Sequence, residues 1–394
     1  GGSQRPIEWL PLEPLDVVNP RAVLASFQQV SDAQLDYLIS LSGGHPRSLA
    51  LLKAQLARRD QRNLVQLVGD WQKQVRHFVN ATSDEVIEEL LARTLLGERI
   101  HHEDIIAGAS VSRLVQDTVL LNALDPKRHP RFVPQLSLLR LHQWCARNQG
   151  NLQVRLRTLL ELGHDLQHRA FEEFHAIFEE LRCWAWHKRG RKGDTSLLAW
   201  IPCGHLVRGD AFDVSVPRVE LLRTETLPQP LAQHEGSIER CCLAHDNQPG
   251  FDVVQPMGQG VLLYECRYSE PPMSEEDTST KLSPAADVRR KAVIAQGQVQ
   301  ESRARLGDHH ISPSRSAYVL IAHRDSAGDL EAFVASCNKQ PAARYNKARA
   351  RWKQFSELDM PVVVLDREAL TQRYGPTFKL LGGFMMDYEG RHYE

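Results

Sequence analysis

The chain has 394 residues, 42% hydrophobic and 25% charged, the balance of a globular protein with more than one core. Its 48 basic and 49 acidic side chains leave a formal charge of −1, so contact with nucleic acid has to come from a local patch rather than from net charge. No apolar run approaches the roughly 20 residues of a membrane span, and no signal peptide is visible. Gly1, Gly2 and Ser3 read as an expression scar and are set aside. Seven cysteines show neither a CxxC pair nor zinc-finger spacing, which points to a reducing intracellular setting.

Residues 4–62 begin with a proline-punctuated segment (Pro6, Pro11, Pro14, Pro20). Helices are expected at Arg21–Val30 and, behind a Ser31-Asp32 cap, at Gln34–Ser42. Gly43-Gly44-His45-Pro46-Arg47 forms a corner: the glycines suit a helix end and Pro46 suits a helix start. Residues 63–150 are mostly helical in pattern. Leu64, Leu67, Val68, Trp71 and Val75 keep helical spacing, as do Val86, Ile87, Leu90 and Leu91 behind Ser83-Asp84. Ser112–Leu121 is a further amphipathic candidate, followed by an extended Phe132–Leu136 and a last helix to about Cys145. With Arg113 as its single basic residue, Ser112–Leu121 suits packing between domains better than reading DNA. His101-His102 and His309-His310 are read as structural, each pair facing different ways with no third ligand.

A second unit, residues 151–394, opens with a long helical pattern over Leu162–Trp186, whose buried stripe is Leu166, Phe171, Phe174, Phe178 and Leu181. Strands are expected at Leu197–Ile201, Asp213–Val216 and Val219–Leu222. An acidic, polar loop at 269–284 separates these from a helix over Ala285–Leu306. The apolar runs Ala317–Ala322 and Pro361–Leu365 then flank a basic helical patch (Arg344, Lys347, Arg349, Arg351, Lys353). Apolar runs alternating with helices predict an α/β fold with buried strands.

The chemistry centres on two short runs, Gly250–Gln255 and Gly260–Arg267, joined through a glycine-containing turn as a β-hairpin. The first carries Asp252 and the second Glu265. Arg267 lies two residues further on and therefore faces the same side as Glu265. Two acids on neighbouring strands beside a cation make a hard-oxygen site for Mg²⁺ or Mn²⁺ facing an anion, above all a phosphodiester. Taken alone, Asp252 also suits a strand start, and Glu265 an exposed carboxylate paired with Arg267. Lys281 and Lys291 are further cations that the sequence does not locate.

The stretch Gly43–Leu49 resembles the lid of STAND-type P-loop ATPases, although no GxxxxGK[ST] precedes it. The helices with a small β-wing resemble a winged-helix module. The order of helix, strands, Asp, Glu-x-cation, polar helix and strands resembles the PD-(D/E)xK restriction-endonuclease-like fold. Together these features are similar to the C-terminal part of Crinkler and retrotransposon-hot-spot (RHS) effector-type proteins. The resemblance implies an ATPase remnant (4–62), a winged-helix-like domain (63–150) and an α/β/α nuclease-like domain with a mixed sheet (151–394). It implies Asp252 and Glu265 as ligands of Mg²⁺ or Mn²⁺, Glu172 as the core-helix glutamate, and Arg267 at the position usually held by lysine. Gln296 and Gln300, four apart on the following helix, are implied to steer water or phosphate. The implied activity is metal-dependent hydrolysis of nucleic acid, DNA in the first place, in the nucleus (a host nucleus for a secreted effector), with protein partners for the helical N-terminal part. Arginine does not give up its proton and so cannot act as a general base. A catalytically decayed fold that binds DNA or protein is therefore the competing expectation. A regulatory ATPase fragment acting through Arg47 is a third.

Overall fold

The computed structural model describes residues 35, 38, 39, 41, 42, 46–57, 67, 70, 71, 82–117, 119–121, 130–162, 168–246, 248–267, 284–322, 327–340, 346–379 and 381. They fall into two compact units, one ending at Arg147 and the other beginning at Asn148. The expected helix at Arg21–Val30, the loop at 269–283 and the side chain of Arg47 lie outside the described residues.

The first unit contains α1 (Pro46–Leu56), α2 (Asp84–Leu95), α3 (Val111–Gln116) and α4 (Leu138–Arg147). Four two-residue strands lie among them: β1 (Ile100–His101), β2 (Ile105–Ile106), β3 (Ala109–Ser110) and β4 (Arg131–Phe132). The expected cap of α2 forms, since Ser83 Oγ accepts from Val86 N. Capping satisfies an amide that the helix cannot satisfy itself. Val86, Ile87, Leu90 and Leu91 form its buried side. The amphipathic helix expected through Leu121 stops at Gln116, and Leu120 instead bridges to Leu136.

The second unit is mixed α/β, built on a seven-stranded sheet. It opens with α5 (Asn151–Leu162), for which no helix was expected, and α6 (His168–Lys188), which realises the long pattern expected over Leu162–Trp186. Then follow β5 (Asp194–Ser196), α7 (Leu197–Trp200), β6 (His205–Arg208), β7 (Asp213–Ser215), β8 (Glu225–Thr226), β9 (Cys242–Leu243), β10 (Val253–Met257) and β11 (Gly260–Arg267). After α8 (Pro284–Glu301) come β12 (Arg305–Leu306), β13 (His309–His310), β14 (Ala317–Ala322), α9 (Ala327–Asn338), α10 (Asn346–Ser356), β15 (Val362–Leu365) and α11 (Arg367–Phe378).

The sheet order is β6-β15-β14-β11-β10-β9-β8, with β11, β14 and β15 parallel and β10 antiparallel to β11. All residues of β11, β14 and β15 are buried, as continuous apolar runs require when both faces of a sheet are covered. On one face Val254, Val261, Leu263, Tyr318 and Leu320 pack with Val288, Ala292 and Ala295 of α8. On the other face α6 lies against β10 and β11, and the His175 and Tyr264 rings meet edge-on at 4.6 Å.

The hairpin closes with Met257 opposite Gly260, leaving a two-residue turn in which Gly258 takes φ +64°. Glycine reaches that left-handed conformation without steric cost, so the turn sets the register of β10 against β11.

Two expected strands are absent. Leu197–Trp200 is a short helix, because Ser196 Oγ accepts from Ala199 N and caps it. Val219–Leu222 joins no ladder; Leu222 N–H turns back to Glu220 O at 2.9 Å, and the Leu222 side chain is exposed. The helix expected through Leu306 ends at Glu301, and Arg305–Leu306 pairs with His309–His310 instead.

Candidate active site

The candidate residues gather where β11 ends, beside the start of β10 and the first turns of α8. The antiparallel register runs from Met257↔Gly260 to Val253↔Tyr264, and Asp252 lies just before the first strand residue, beside Tyr264 and Cys266 of β11. By strand alternation Glu265 and Arg267 share the face of Leu263, the face that α8 covers. Asp252 is pinned by both backbone and side chain. Its N–H donates to Tyr264 O (2.7 Å), its carbonyl accepts from Ala244 N (2.7 Å), and its Oδ2 accepts from Cys266 N (2.6 Å).

Gly250 sets this approach. It sits at φ +98°, and a Cβ there would lie 3.0 Å from Lys291 O, so the chain entering β10 passes directly over α8. The same stretch of α8 brings the Lys291 ammonium onto Glu265 Oε1 as an ion pair, with Asp287 Oδ2 at 3.7 Å from the same nitrogen. Glu265 is nearly buried, with 7% of its side chain exposed, against 20% for Lys291. Arg267, two residues on, is buried as well. The site thus has a lysine that the strand motif lacks, supplied one helix later.

Glu172 occupies the opposite layer, on the second turn of α6. It is buried where Glu173 is only half-buried, which separates two glutamates that pattern leaves equivalent. Its Oε2 accepts from Arg169 Nη1 at 3.0 Å, and Arg169 reaches Asp246 at 3.6 Å. Glu172, Asp252 and Glu265 all act on one buried group, the Cys266 thiol. Its pKa is pushed well above the ordinary thiol range by burial first and then by those three carboxylates.

The donors available to an ion are hard carboxylate oxygens, the set that suits Mg²⁺ or Mn²⁺. They are not collapsed on one point. Among the described residues, the group of three His, Cys, Asp or Glu ligand atoms lying within 4.8 Å of one another is His101, His102 and Glu103, not Glu172, Asp252 and Glu265. One further feature fits a polar occupant. The Tyr318 hydroxyl is buried and has no hydrogen-bond partner among the described residues. Its ionisation is opposed by burial, then by Glu265, Asp252 and Asp287, so it lies in the field of these acids. A buried hydroxyl left unpaired costs about 1–3 kcal/mol, and a water held by an ion would relieve that. Asp252 and Glu265 therefore offer the kind of oxygen donor a divalent cation takes, while Glu172 lies in the opposite layer with its own arginine.

Gln296 and Gln300 are not brought to this place. Gln296 Oε1 accepts from the N–H groups of Asp359 and Met360, both at 3.1 Å, and so ties α8 to the turn before β15. Gln300 is exposed, about 13 Å further along α8 than Lys291 at 1.5 Å per residue. The basic helical patch is realised as α10, on which Arg349 and Lys353 are exposed.

Below the site, α6 is anchored by a buried ionic cluster. Glu179 accepts from Arg373 Nε (2.8 Å) and Nη2 (2.5 Å), and Arg182 Nη1 stands 3.5 Å away. Both arginines also donate to Trp200 O. His175 Nδ1 lies 3.0 Å from the Tyr374 hydroxyl. Burial lowers the His175 pKa to about 4, only partly opposed by Glu179. The Glu179 carboxyl is lowered to about 2, because Arg373 and Arg182 outweigh its desolvation. Sequence reading missed this cluster, since its partners lie up to 199 positions apart.

Compared with family models, with curated proteins and with solved structures, the chain matches none. Among the described residues no helix is long and apolar enough to cross a membrane. The described cysteines are free thiols.

Proposed function

We propose that the second unit is a metal-dependent nuclease domain of the PD-(D/E)xK type, acting on DNA in the nucleus within a Crinkler or RHS effector-type protein. The observation that carries this reading is the Asp252 carboxylate held on the N–H of Cys266, the residue next to Glu265, with Lys291 held on Glu265. Asp252 and Glu265 would hold Mg²⁺ or Mn²⁺. When bound, such an ion supplies acidity to its water and offsets charge on phosphate oxygens.

The chain's own residues do the rest. Cys266 N–H fixes the Asp252 carboxylate through Oδ2. Arg267 carries a planar fork of donors suited to two phosphate oxygens. Lys291 takes the role that the strand motif leaves vacant at Arg267, because an ammonium can orient a water and, unlike arginine, can release a proton. The exposed cations of α10, Arg349 and Lys353, would follow the nucleic-acid backbone.

The domain order implied by the resemblance, with an ATPase lid remnant and a winged helix before the nuclease, belongs to the same proposal. The helical N-terminal part would then receive protein partners. Relaxation of supercoiled plasmid in Mg²⁺ or Mn²⁺, lost on chelation and in Asp252→Ala, is the expected outcome. Equal relaxation by both proteins would trace cleavage to a contaminant and remove this reading.

A second reading, a decayed nuclease fold that binds DNA or protein, is favoured by one observation. Glu265 already has Lys291, and Glu172 already has Arg169, as counter-charge. Binding of DNA without cleavage, unchanged in Asp252→Ala, would select it.

A further inference from the structure

The turn between β1 and β2 in the first unit carries His101, His102 and Glu103 consecutively, and their ligand atoms lie within 4.8 Å of one another. The sequence expectation of two histidines facing apart without a third ligand therefore does not hold. The rings lie 4.3 Å apart with their planes 36° from each other, and Glu103 spans both. Its Oε2 is 3.8 Å from His101 Nδ1 and its Oε1 is 3.6 Å from His102 Nε2. A tetrahedral site with metal–ligand bonds of about 2.0–2.1 Å has ligand–ligand edges of about 3.3 Å. Contraction by a few tenths of an ångström brings the two Glu103–imidazole edges to that length.

The backbone that carries the three residues is already fixed. His101 N–H donates to Asp104 Oδ2 at 2.8 Å, and Asp104 N–H donates to His101 O at 3.0 Å, which closes the turn. On its other side β1 pairs with β4, and His102 N–H reaches Pro130 O at 3.3 Å. Ordering entropy, the usual obstacle to a site built on a loop, is thus largely met before an ion arrives. The side chains remain open to solvent, His101 at 30%, His102 at 20% and Glu103 at 77%.

We propose that His101, His102 and Glu103 form a binding site for a borderline transition-metal ion of the Zn²⁺, Ni²⁺ or Cu²⁺ class, with water completing the coordination. Two imidazole nitrogens and one carboxylate oxygen select these ions over Mg²⁺ and Ca²⁺. One feature limits the affinity. Ligation through Nε2 places the His102 ring proton on Nδ1, which is buried and has no hydrogen-bond partner among the described residues. Metal-bound histidines ordinarily donate that proton to an acceptor, whose loss weakens binding about 10–100-fold. The site is therefore one that equilibrates with the medium, not one that locks an ion in.

The test is calorimetric titration of the full chain with Zn²⁺ and, separately, Ni²⁺, for the wild type, His102→Ala and Glu103→Gln. Thermal unfolding without metal serves as the folding control. Because Glu103 is exposed, Glu103→Gln leaves the metal-free melting temperature unchanged, which keeps the test valid if His102→Ala perturbs the turn. The proposal expects one equivalent of Zn²⁺ or Ni²⁺ in the wild type, weakened at least about tenfold in Glu103→Gln and lost in His102→Ala. It also expects no competition from millimolar Mg²⁺. Binding that is absent in the wild type, or equal in all three proteins, would overturn it.

Discussion

Replacing Lys291 by methionine keeps the length of the side chain and removes its charge, leaving Glu265 without its ammonium. The Glu265 side chain is 7% exposed and that of Lys291 20% exposed. Breaking a fully buried pair costs about 3–5 kcal/mol. Some water reaches Lys291, so a loss of about 2–3 kcal/mol is expected here. For a unit of this size 1 kcal/mol corresponds to about 2–4 °C, and the second unit should melt about 4–12 °C lower in chelator. A divalent ion at Asp252 and Glu265 restores the counter-charge, and at one hundred times its Kd it returns about 2.7 kcal/mol. Differential scanning calorimetry of Lys291→Met with and without Mn²⁺ should therefore show recovery of most of the lost Tm. The wild type, whose Glu265 already has a cation, should gain less. A Tm for Lys291→Met that does not respond to Mn²⁺, or that responds equally when Asp252→Asn is added, would refute the reasoning.

Acid should destabilise the fold through His175 and Glu179. Since His175 falls from 6.5 to about 4 on folding, its contribution is complete above about pH 6.5 and drains away as the pH falls towards 4. That gap corresponds to about 3 kcal/mol, and urea unfolding against pH should lose this slope in His175→Gln. Glu179, lowered from 4.5 to about 2, extends the loss below pH 4.5. Arg373→Met leaves Glu179 buried with Arg182 as its remaining arginine and should cost about 3–5 kcal/mol by chemical denaturation, a cost that Glu179→Gln in the same chain should partly relieve. Gly250→Ala forces a Cβ to 3.0 Å from Lys291 O at φ +98°. It should cost about 1–3 kcal/mol and weaken Mn²⁺ binding by displacing Asp252 from Glu265.

Much of the second unit was legible because its strands are short apolar runs with unambiguous punctuation. The turn at Gly258, the alternation that puts Glu265 and Arg267 on one side, and the stripe Phe171, Phe174, Phe178 and Leu181 on α6 follow from period and turn chemistry. The failures share a physical cause. Leu197–Trp200 is apolar enough for a strand, and only the Ser196 hydroxyl decides for a helical turn. Gln296 and Gln300 do share a helix face, but the turn at Asp359–Met360 captures the first. Lys291 was one of two unplaced lysines, because a contact 26 residues away between strand and helix leaves no trace in spacing. His101, His102 and Glu103 were misjudged for a different reason. Strand alternation separates neighbouring side chains, but here β1 ends at His101 and the turn rotates His102 and Glu103 back towards it.

The claim on which the functional account rests is that Asp252 and Glu265 share one divalent ion. Mn²⁺ titration followed by the electron paramagnetic resonance of free Mn²⁺, carried out in the His102→Ala background to silence the other site, tests it most directly. The account predicts one bound Mn²⁺ per chain, lost in both Asp252→Asn and Glu265→Gln and retained in Gln300→Ala. Undiminished binding in Asp252→Asn, or no bound Mn²⁺ at all, would contradict it.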